Sequence, residues 1–150
     1  MSHGPKSRRF GGPEESAFVS LVRTAELLSR NVEKVLRSGD VSPTQYNVLR
    51  ILRGAPEGLP CSEIAKRMIT RDPDITRLLD RLEKRSLISR CRETKDRRMV
   101  LTRITPHGLK LLRDLDGPVT GIHKTQLGHL GREGLRSLME LLETARDKAA

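Results

Sequence analysis

The sequence is poor in aromatic residues, in cysteine and in long apolar runs, and each shortage removes a class of protein. Among 150 residues there is no Trp, one Tyr (Tyr46) and two Phe (Phe10 and Phe18), and hydrophobic residues make up only 35%. That is little for one large self-contained core; it suits a thin helical protein that completes its core against a second copy. Two cysteines, Cys61 and Cys91, make neither a disulfide framework nor a zinc cluster. No stretch approaches the roughly 18–20 consecutive apolar residues of a membrane helix, so no membrane partner is expected. The start, Met1 to Gly12, is basic and Gly-rich without the apolar segment of a signal peptide. A Gly-rich phosphate loop, a nucleophile elbow and a metalloprotease pattern are all missing. No catalytic residue and no cofactor are therefore expected. His107, His123 and His129 lack the i, i+4 spacing of a helical ligand pair and His3 lies in the arm, so no metal site is assigned.

Positive charge, by contrast, is in excess. Lys and Arg number 29 against 19 Asp and Glu, a net charge of +10. Such a balance points to an anionic partner, nucleic acid ahead of a membrane surface; charge serving solubility alone is the plainer reading. The excess is concentrated. Residues 66–103 hold thirteen basic and six acidic side chains, an excess of seven in about a quarter of the chain. A solvated surface would mix the signs more evenly, whereas phosphate binding favours this concentration.

Residues 1–13 read as a flexible basic arm, and 14–150 as one domain. Phe18, Leu21, Val22, Ala25, Leu28, Val32, Val35 and Leu36 recur at helical steps and predict a long first helix, stopped by Ser38-Gly39-Asp40. Ser42-Pro43-Thr44-Gln45 predicts a capping box with Pro at the first helical position, and Val41 and Tyr46 a hydrophobic staple across it. That second helix should end before Gly54. A short helix from about Cys61 to Met68 should turn Ile64, Ala65 and Met68 inward. After Ile69-Thr70-Arg71, Asp72 is expected as cap and Pro73 as the first residue of a helix burying Ile75, Leu78, Leu79 and Leu82. Arg77, Arg81, Lys84 and Arg85 lie off that stripe. The period then switches to extended, with strands at Ile88–Glu93 and Met99–Ile104 around a turn at Thr94–Arg98. Thr105-Pro106 should open a further helix that Gly117-Pro118 kinks or briefly interrupts, and Leu130-Gly131 the last. The middle of this order is a winged helix-turn-helix: a bracing helix, a helix for the major groove and a basic hairpin beside it. The fold class is mainly α with a small two-stranded β-wing.

Residues 42–103 resemble the MarR family (multiple antibiotic resistance regulator) of bacterial transcriptional regulators. Ser42-Pro43-Thr44-Gln45-Tyr46 is similar to the start of the family's second helix. The run from Asp74 through Thr76-Arg77-Leu78-Leu79-Asp80-Arg81 to Arg85 resembles its recognition helix, and Asp96-Arg97-Arg98 with Leu101-Thr102-Arg103-Ile104-Thr105 its wing. The flanking helices match the family layout from residue 14 onward. The resemblance implies dimerisation helices at 14–37 and 105–150 around a DNA-binding lobe at 41–104. It implies recognition-helix contacts from Arg71, Asp72, Pro73, Asp74, Thr76, Arg77 and Arg81. Wing contacts would come from Arg92, Lys95, Asp96, Arg97 and Arg98, with Arg98 in the minor groove, its guanidinium held by Asp96. Two departures stand out: Ser86 where the family has Gly, at a cost if the backbone is left-handed, and Pro60 where a Ser/Thr-like cap is common.

The resemblance implies a homodimeric, sequence-specific regulator in a bacterial or archaeal cytosol, associated with the nucleoid. It would repress a pseudo-palindromic operator on double-stranded DNA and be released by a small-molecule effector, commonly an aromatic or phenolic anion in this family. Arg23 and Tyr46 are candidates for that ligand; the staple is the preferred reading of Tyr46, and no pocket is assigned. Peroxide-sensing members carry a Cys early in the first helix. There is none here, and Cys61 and Cys91 read as bystander thiols, with a redox-responsive regulator as an alternative. A sequence-independent architectural DNA-binding protein and a protein-interaction module are the rivals from different classes.

Overall fold

The structure, a computed structural model, describes residues 11–93, 95, 96 and 98–150. Nearly all of the predicted arm and position Arg97 of the wing lie outside the described residues. The chain runs α1 (Pro13–Leu36), a 3₁₀ turn (Arg37–Gly39), α2 (Pro43–Arg53), α3 (Cys61–Arg67) and α4 (Ile75–Lys84). The hairpin β1 (Ile88–Arg92) and β2 (Val100–Ile104) comes next, then α5 (Pro106–Leu127), a 3₁₀ turn (Gly128–Leu130) and α6 (Gly131–Ala149). Among the described residues, no helix is long and apolar enough to cross a membrane.

Helix α2 starts as the sequence predicts. Ser42 Oγ accepts from the Gln45 N–H (3.1 Å) and Gln45 Oε1 from the Ser42 N–H (2.9 Å), with Pro43 in the first turn. Both halves of the box satisfy helix-end donors that would otherwise need water. Val41 and Tyr46 are buried in the same apolar cluster, in keeping with the staple. Helix α3 lacks such a cap. Its N-terminal Pro60 offers only its carbonyl, which accepts from the N–H groups of Glu63 and Ile64.

The start of α4 differs from the expectation. Asp74, not Asp72, is the cap: its carboxylate accepts from the Arg77 N–H at 3.1 Å, and the first helical residue is Ile75. Asp72 instead accepts from the Asp74 N–H at 2.8 Å, so Pro73 sits in a turn rather than in the helix. Asp-Pro-Asp offers two side-chain acceptors, and the second coincides with the first residue whose side chain packs on the core, Ile75. Ala65 also differs, for it is exposed. In a helix of seven residues one face is buried, and Cys61, Ile64 and Met68, at steps of three and four, occupy it. Helix α5 is not interrupted at Gly117-Pro118; buried Leu115 and Val119 hold it to the core on either side of the exposed proline.

The strands pair antiparallel with Ile88 opposite Ile104 and Arg90 opposite Thr102. Each is one residue shorter than predicted, although the Glu93 N–H still donates to the Met99 carbonyl (2.8 Å). Leu59 bonds both ways to buried Thr102 and extends the sheet towards α3. Ser86, between α4 and β1, has φ 59°, the left-handed conformation at the position where glycine would carry no penalty.

The core is aliphatic and lies in the middle of the chain. Leu36, Leu49, Leu52, Ile64, Leu82, Leu87 and Leu112 are sealed from solvent in one cluster. The outer helices contribute little to it: α1 buries only Leu36, and α6 buries nothing fully. Phe18 and Leu141 are 65% and 71% exposed.

Candidate nucleic-acid interface and the cavity behind it

Helix α4 has two faces. Leu78, Leu79 and Leu82 are buried, which turns Thr76, Arg77, Asp80 and Arg81 outward, all exposed. Arg71, Pro73 and Asp74 are exposed at its approach, and Asp72 is half-buried. The two aspartates spend a carboxylate oxygen each on the main chain, so they shape the entry to the helix. Among the described residues no ion pair engages Arg77 or Arg81.

The wing lies beside this helix. Arg92, Lys95, Asp96 and Arg98 are exposed. Asp96 accepts from the main-chain N–H of Arg98 at 3.0 Å, and its carbonyl accepts from the Met99 N–H. The carboxylate therefore orders the turn that presents Arg98, through backbone rather than through the guanidinium.

Not every cation in this region is available to an outside anion. Arg90 of β1 donates from Nε (3.3 Å) and Nη2 (3.0 Å) to Glu83 and from Nη2 to Asp80. These bonds raise the Arg90 pKa, hydrogen bonding to Glu83 contributing most, and hold the Glu83 carboxyl below its usual range. Arg90 thus ties the wing to α4 and offsets one of the two negative charges of Asp80 and Glu83. Lys66 and Arg67 likewise sit near Glu63, at 3.5 and 3.7 Å. Among the described residues, Arg77 and Arg81 of α4 and Arg98 of the wing are exposed and engaged in no ion pair.

A concavity of about 420 Å³ joins Ser42, Thr44 and Gln45 of α2 to Asp72, Asp74, Arg77 and Arg81. Thr44 and Gln45 are therefore part of the same surface. Sequence reading sees in them a capping box and the family-like start of a second helix, not this surface, because their neighbours lie some thirty residues away. Cys61 lines a groove of about 400 Å³ between the start of α3 and the turn of the wing, with Asp96 and Arg98, while Cys91 is exposed on β1. Among the described residues no group of His, Cys, Asp and Glu could hold a metal ion.

Behind this surface, between α2, α5 and the start of α6, is a cavity of about 580 Å³, a size typical of small-molecule sites. One wall is Tyr46, Arg50 and Arg53, the i, i+4, i+7 face of α2; the opposite wall includes Asp116, Thr120 and His123, the same spacing on α5. Arg53 and Asp116 form a two-point bond across it, Nη1 to Oδ2 at 2.6 Å and Nη2 to Oδ1 at 3.2 Å. The Tyr46 hydroxyl points to the same carboxylate at 3.5 Å, and the Arg50 guanidinium stands 5.7 Å from the Tyr46 ring centre. Burial pushes the Tyr46 phenol up, against the pull of Arg50, while Asp116 raises Arg53. Arg23 does not line this cavity. Sequence reading identifies Tyr46 but misses Arg53, Asp116, His123 and Lys124, whose helical spacing is visible within each helix but not across the two.

This architecture matches known proteins over most of its length. The MarR family model matches residues 41–100. A MarR transcription factor from Planctomyces limnophilus is 40% identical, with 91% of this chain and 99% of that one covered and a TM-score of 0.69. The transcriptional repressor CouR, in a structure bound to a 23-mer DNA duplex, is 27% identical over 91% of this chain and 96% of its own, with a TM-score of 0.79. The HTH-type transcriptional regulator FarR of Neisseria gonorrhoeae is 28% identical over 85% of this chain and 86% of its own. With the recognition helix, the wing and these likenesses in agreement, the chain belongs to the MarR family: it is a winged helix-turn-helix, DNA-binding transcriptional regulator and not an enzyme.

Proposed function

We propose that the protein is a cytosolic homodimeric repressor of a pseudo-palindromic operator. Helix α4 enters successive major grooves, the wing reaches the flanking minor groove, and an aromatic organic anion in the Tyr46 cavity releases the DNA. The observation that carries the reading is the outer row of α4. Thr76, Arg77 and Arg81 are exposed, with neither arginine ion-paired among the described residues, beside a wing tip presenting Arg98. Arginine can pair with guanine edges, and threonine can hydrogen-bond or touch a thymine methyl. The likeness to DNA-bound CouR supports this placement. The exposed apolar residues of α1 and α6, Phe18, Leu21, Val22, Met139 and Leu141, support a second copy as the cover for those helices.

The anion is read from the cavity. Tyr46, Val119, Leu127 and Leu135 offer an apolar bed, with Arg50, Arg53, His123 and Lys124 around it. A ligand carboxylate or phenolate would compete with Asp116 for Arg53 and loosen a tie between α2 of the DNA-binding lobe and α5. The tie is about one-third exposed, so it is worth on the order of 1 kcal/mol. A tenfold fall in DNA affinity needs a difference of about 1.4 kcal/mol in ligand affinity between the two states.

The test is an anisotropy titration of the intergenic DNA upstream of the gene against a scrambled duplex, at two salt concentrations. A preference that survives the higher salt is expected. Equal binding that collapses with salt on every duplex from a random library would instead indicate a sequence-independent architectural binder. Tyr46 is the one tyrosine and there is no tryptophan, so tyrosine fluorescence reports ligands in the cavity directly.

A further inference from the structure

The outer face of α4 addresses DNA, but its position is decided at its other end. Residues 85–87 join α4 to β1 and receive contacts from both α1 and α5. The Arg85 guanidinium donates from Nη1 to the Asp40 carbonyl (2.5 Å) and from Nη2 to the Gly39 carbonyl (3.2 Å). Those carbonyls belong to the 3₁₀ turn that runs directly on from α1 and ends at left-handed Asp40, φ 52°. Carbonyls at a helix end lack partners within the helix and carry the negative end of its dipole, so a two-pronged guanidinium suits them.

Beside this, the Thr105 hydroxyl at the start of α5 donates to the Ser86 carbonyl (2.6 Å), and the Thr105 N–H donates to the Leu87 carbonyl (3.1 Å). Gly108 of α5 lies so near that a Cβ there would be 2.4 Å from the Leu87 carbonyl oxygen. The 3₁₀ turn is itself pressed on α5, since a Cβ at Gly39 would fall 2.9 Å from Leu115 Cδ1. The end of α1, the start of α5 and the end of α4 thus meet at one joint. Arg85 is the side chain at the end of α4 that closes it on the α1 side. Unlike Arg77 and Arg81, it is half-buried and its donors are turned away from the recognition row.

We propose that Arg85 is a positioning residue that sets which half-site spacing the protein accepts, by fastening the back of α4 to the terminus of α1. This rests on the proposed dimer, in which α1 and α5 belong to the lobe that joins two copies. The distance between two recognition helices is then transmitted through this joint, and groove geometry demands half-sites about 10 bp apart. Arg85 touches no base in this arrangement. Its loss should therefore blunt spacing selectivity rather than alter preference within a half-site.

The experiment uses the full chain and operator duplexes with the half-sites at their native separation, or with one base pair inserted or deleted at the centre. Wild type, Arg85→Gln and Arg85→Lys are titrated by anisotropy, with circular dichroism melts to establish folding. Wild type should prefer the native spacing on the order of tenfold. Arg85→Gln should narrow that ratio to about threefold or less, with Arg85→Lys between, since it keeps the cation but loses the fork. Base preference within each half-site should stay as in wild type. A folded Arg85→Gln, or Arg85→Lys if the former does not fold, that keeps the wild-type spacing ratio overturns the proposal. A wild type indifferent to spacing overturns the dimeric reading and the proposal together.

Discussion

Gly108 and Gly121 lie in the same helix, and the same substitution at the two should change stability in opposite directions. At Gly108 an added methyl would stand 2.4 Å from the Leu87 carbonyl oxygen and 2.8 Å from Ile104 Cγ1. Neither is the free end of a flexible chain: one is backbone and the other belongs to a strand residue paired with Ile88. Relieving the contact means moving α5 away from the α4–β1 joint by several tenths of an ångström. Overpacking of this kind costs about 1–3 kcal/mol, against a gain of up to about 1 kcal/mol from replacing a helical glycine. Gly108→Ala should therefore be net destabilising by about 1–2 kcal/mol, which lowers Tm by roughly 2–8 °C for a chain of this size. At Gly121 an added Cβ would meet no described neighbour within 4 Å beyond its own helix backbone, so only the propensity gain remains and Gly121→Ala should melt higher. Both variants are compared with wild type by differential scanning calorimetry at one protein concentration, because a dimer's Tm depends on concentration. A Gly108→Ala protein as stable as wild type, or two variants that shift in the same direction, would refute the claim that α5 is held at this joint by close approach.

Three further outcomes concern the DNA-binding surface and the cavity. Arg77→Ala should change base preference within the half-site, by about 1–3 kcal/mol if the contact is bidentate, whereas Arg98→Ala should weaken binding and relax any A·T preference at the flanks; uniform weakening by both in a binding-site selection would undo the assignment. Glu83, held below its ordinary value of 4.5 chiefly by hydrogen bonding to Arg90, contributes stability that is complete above that value. The contribution is lost as pH falls through the lower folded pKa, so the protection of β1 amides, relative to their intrinsic exchange rate at each pH, should fall on acidification below about pH 4.5 and Glu83→Gln should flatten the dependence. Tyr46, raised from 10.0 chiefly by burial, should titrate above pH 10 in the folded protein when followed by tyrosinate absorbance; as the lone tyrosine it gives an unmixed signal, and a midpoint at or below 10 would mean that the ring is solvated.

Local signals in the sequence are sound where one element decides the outcome. Ser42-Pro43-Thr44-Gln45 contains a whole capping box within four residues, and the wing announces itself by the switch from helical to alternating period. The sequence misleads where two local solutions compete. Asp72 and Asp74 are both good caps, and the choice between them falls to Ile75 reaching the core, a tertiary fact. Ala65 is apolar yet exposed, because a helix of seven residues has room for one buried face and larger side chains fill it. The cavity is harder still to read. Tyr46, Arg50 and Arg53 share a face, as do Asp116, Thr120 and His123, but about seventy residues separate them, and only the packing of α5 on α2 brings the two faces together. Gly108 cannot be told in the sequence from Gly117 and Gly121 of the same helix, whose surroundings are open; only the packing of α5 against Leu87 sets it apart.

Charge and aromatic content show how composition bears on function here. An excess of seven positive charges across residues 66–103 names the sign of the partner but not the surface. Arg90 is engaged by Asp80 and Glu83 and offsets one of their two charges; without it both carboxylates would stand unpaired on the helix meant for phosphate. The basic field therefore depends on a cation that itself stays out of contact. The few aromatics follow a comparable logic. The centre of the core is closed by leucine, isoleucine and valine, and the described aromatic residues stand at its margin or outside it. Tyr46 borders the cavity and Phe18 is 65% exposed on α1. Rings carry the most contact area per side chain and prefer specific geometry. Placing them where a ligand and a second copy would meet the protein leaves a forgiving aliphatic core and concentrates specificity at the two surfaces that regulation would use.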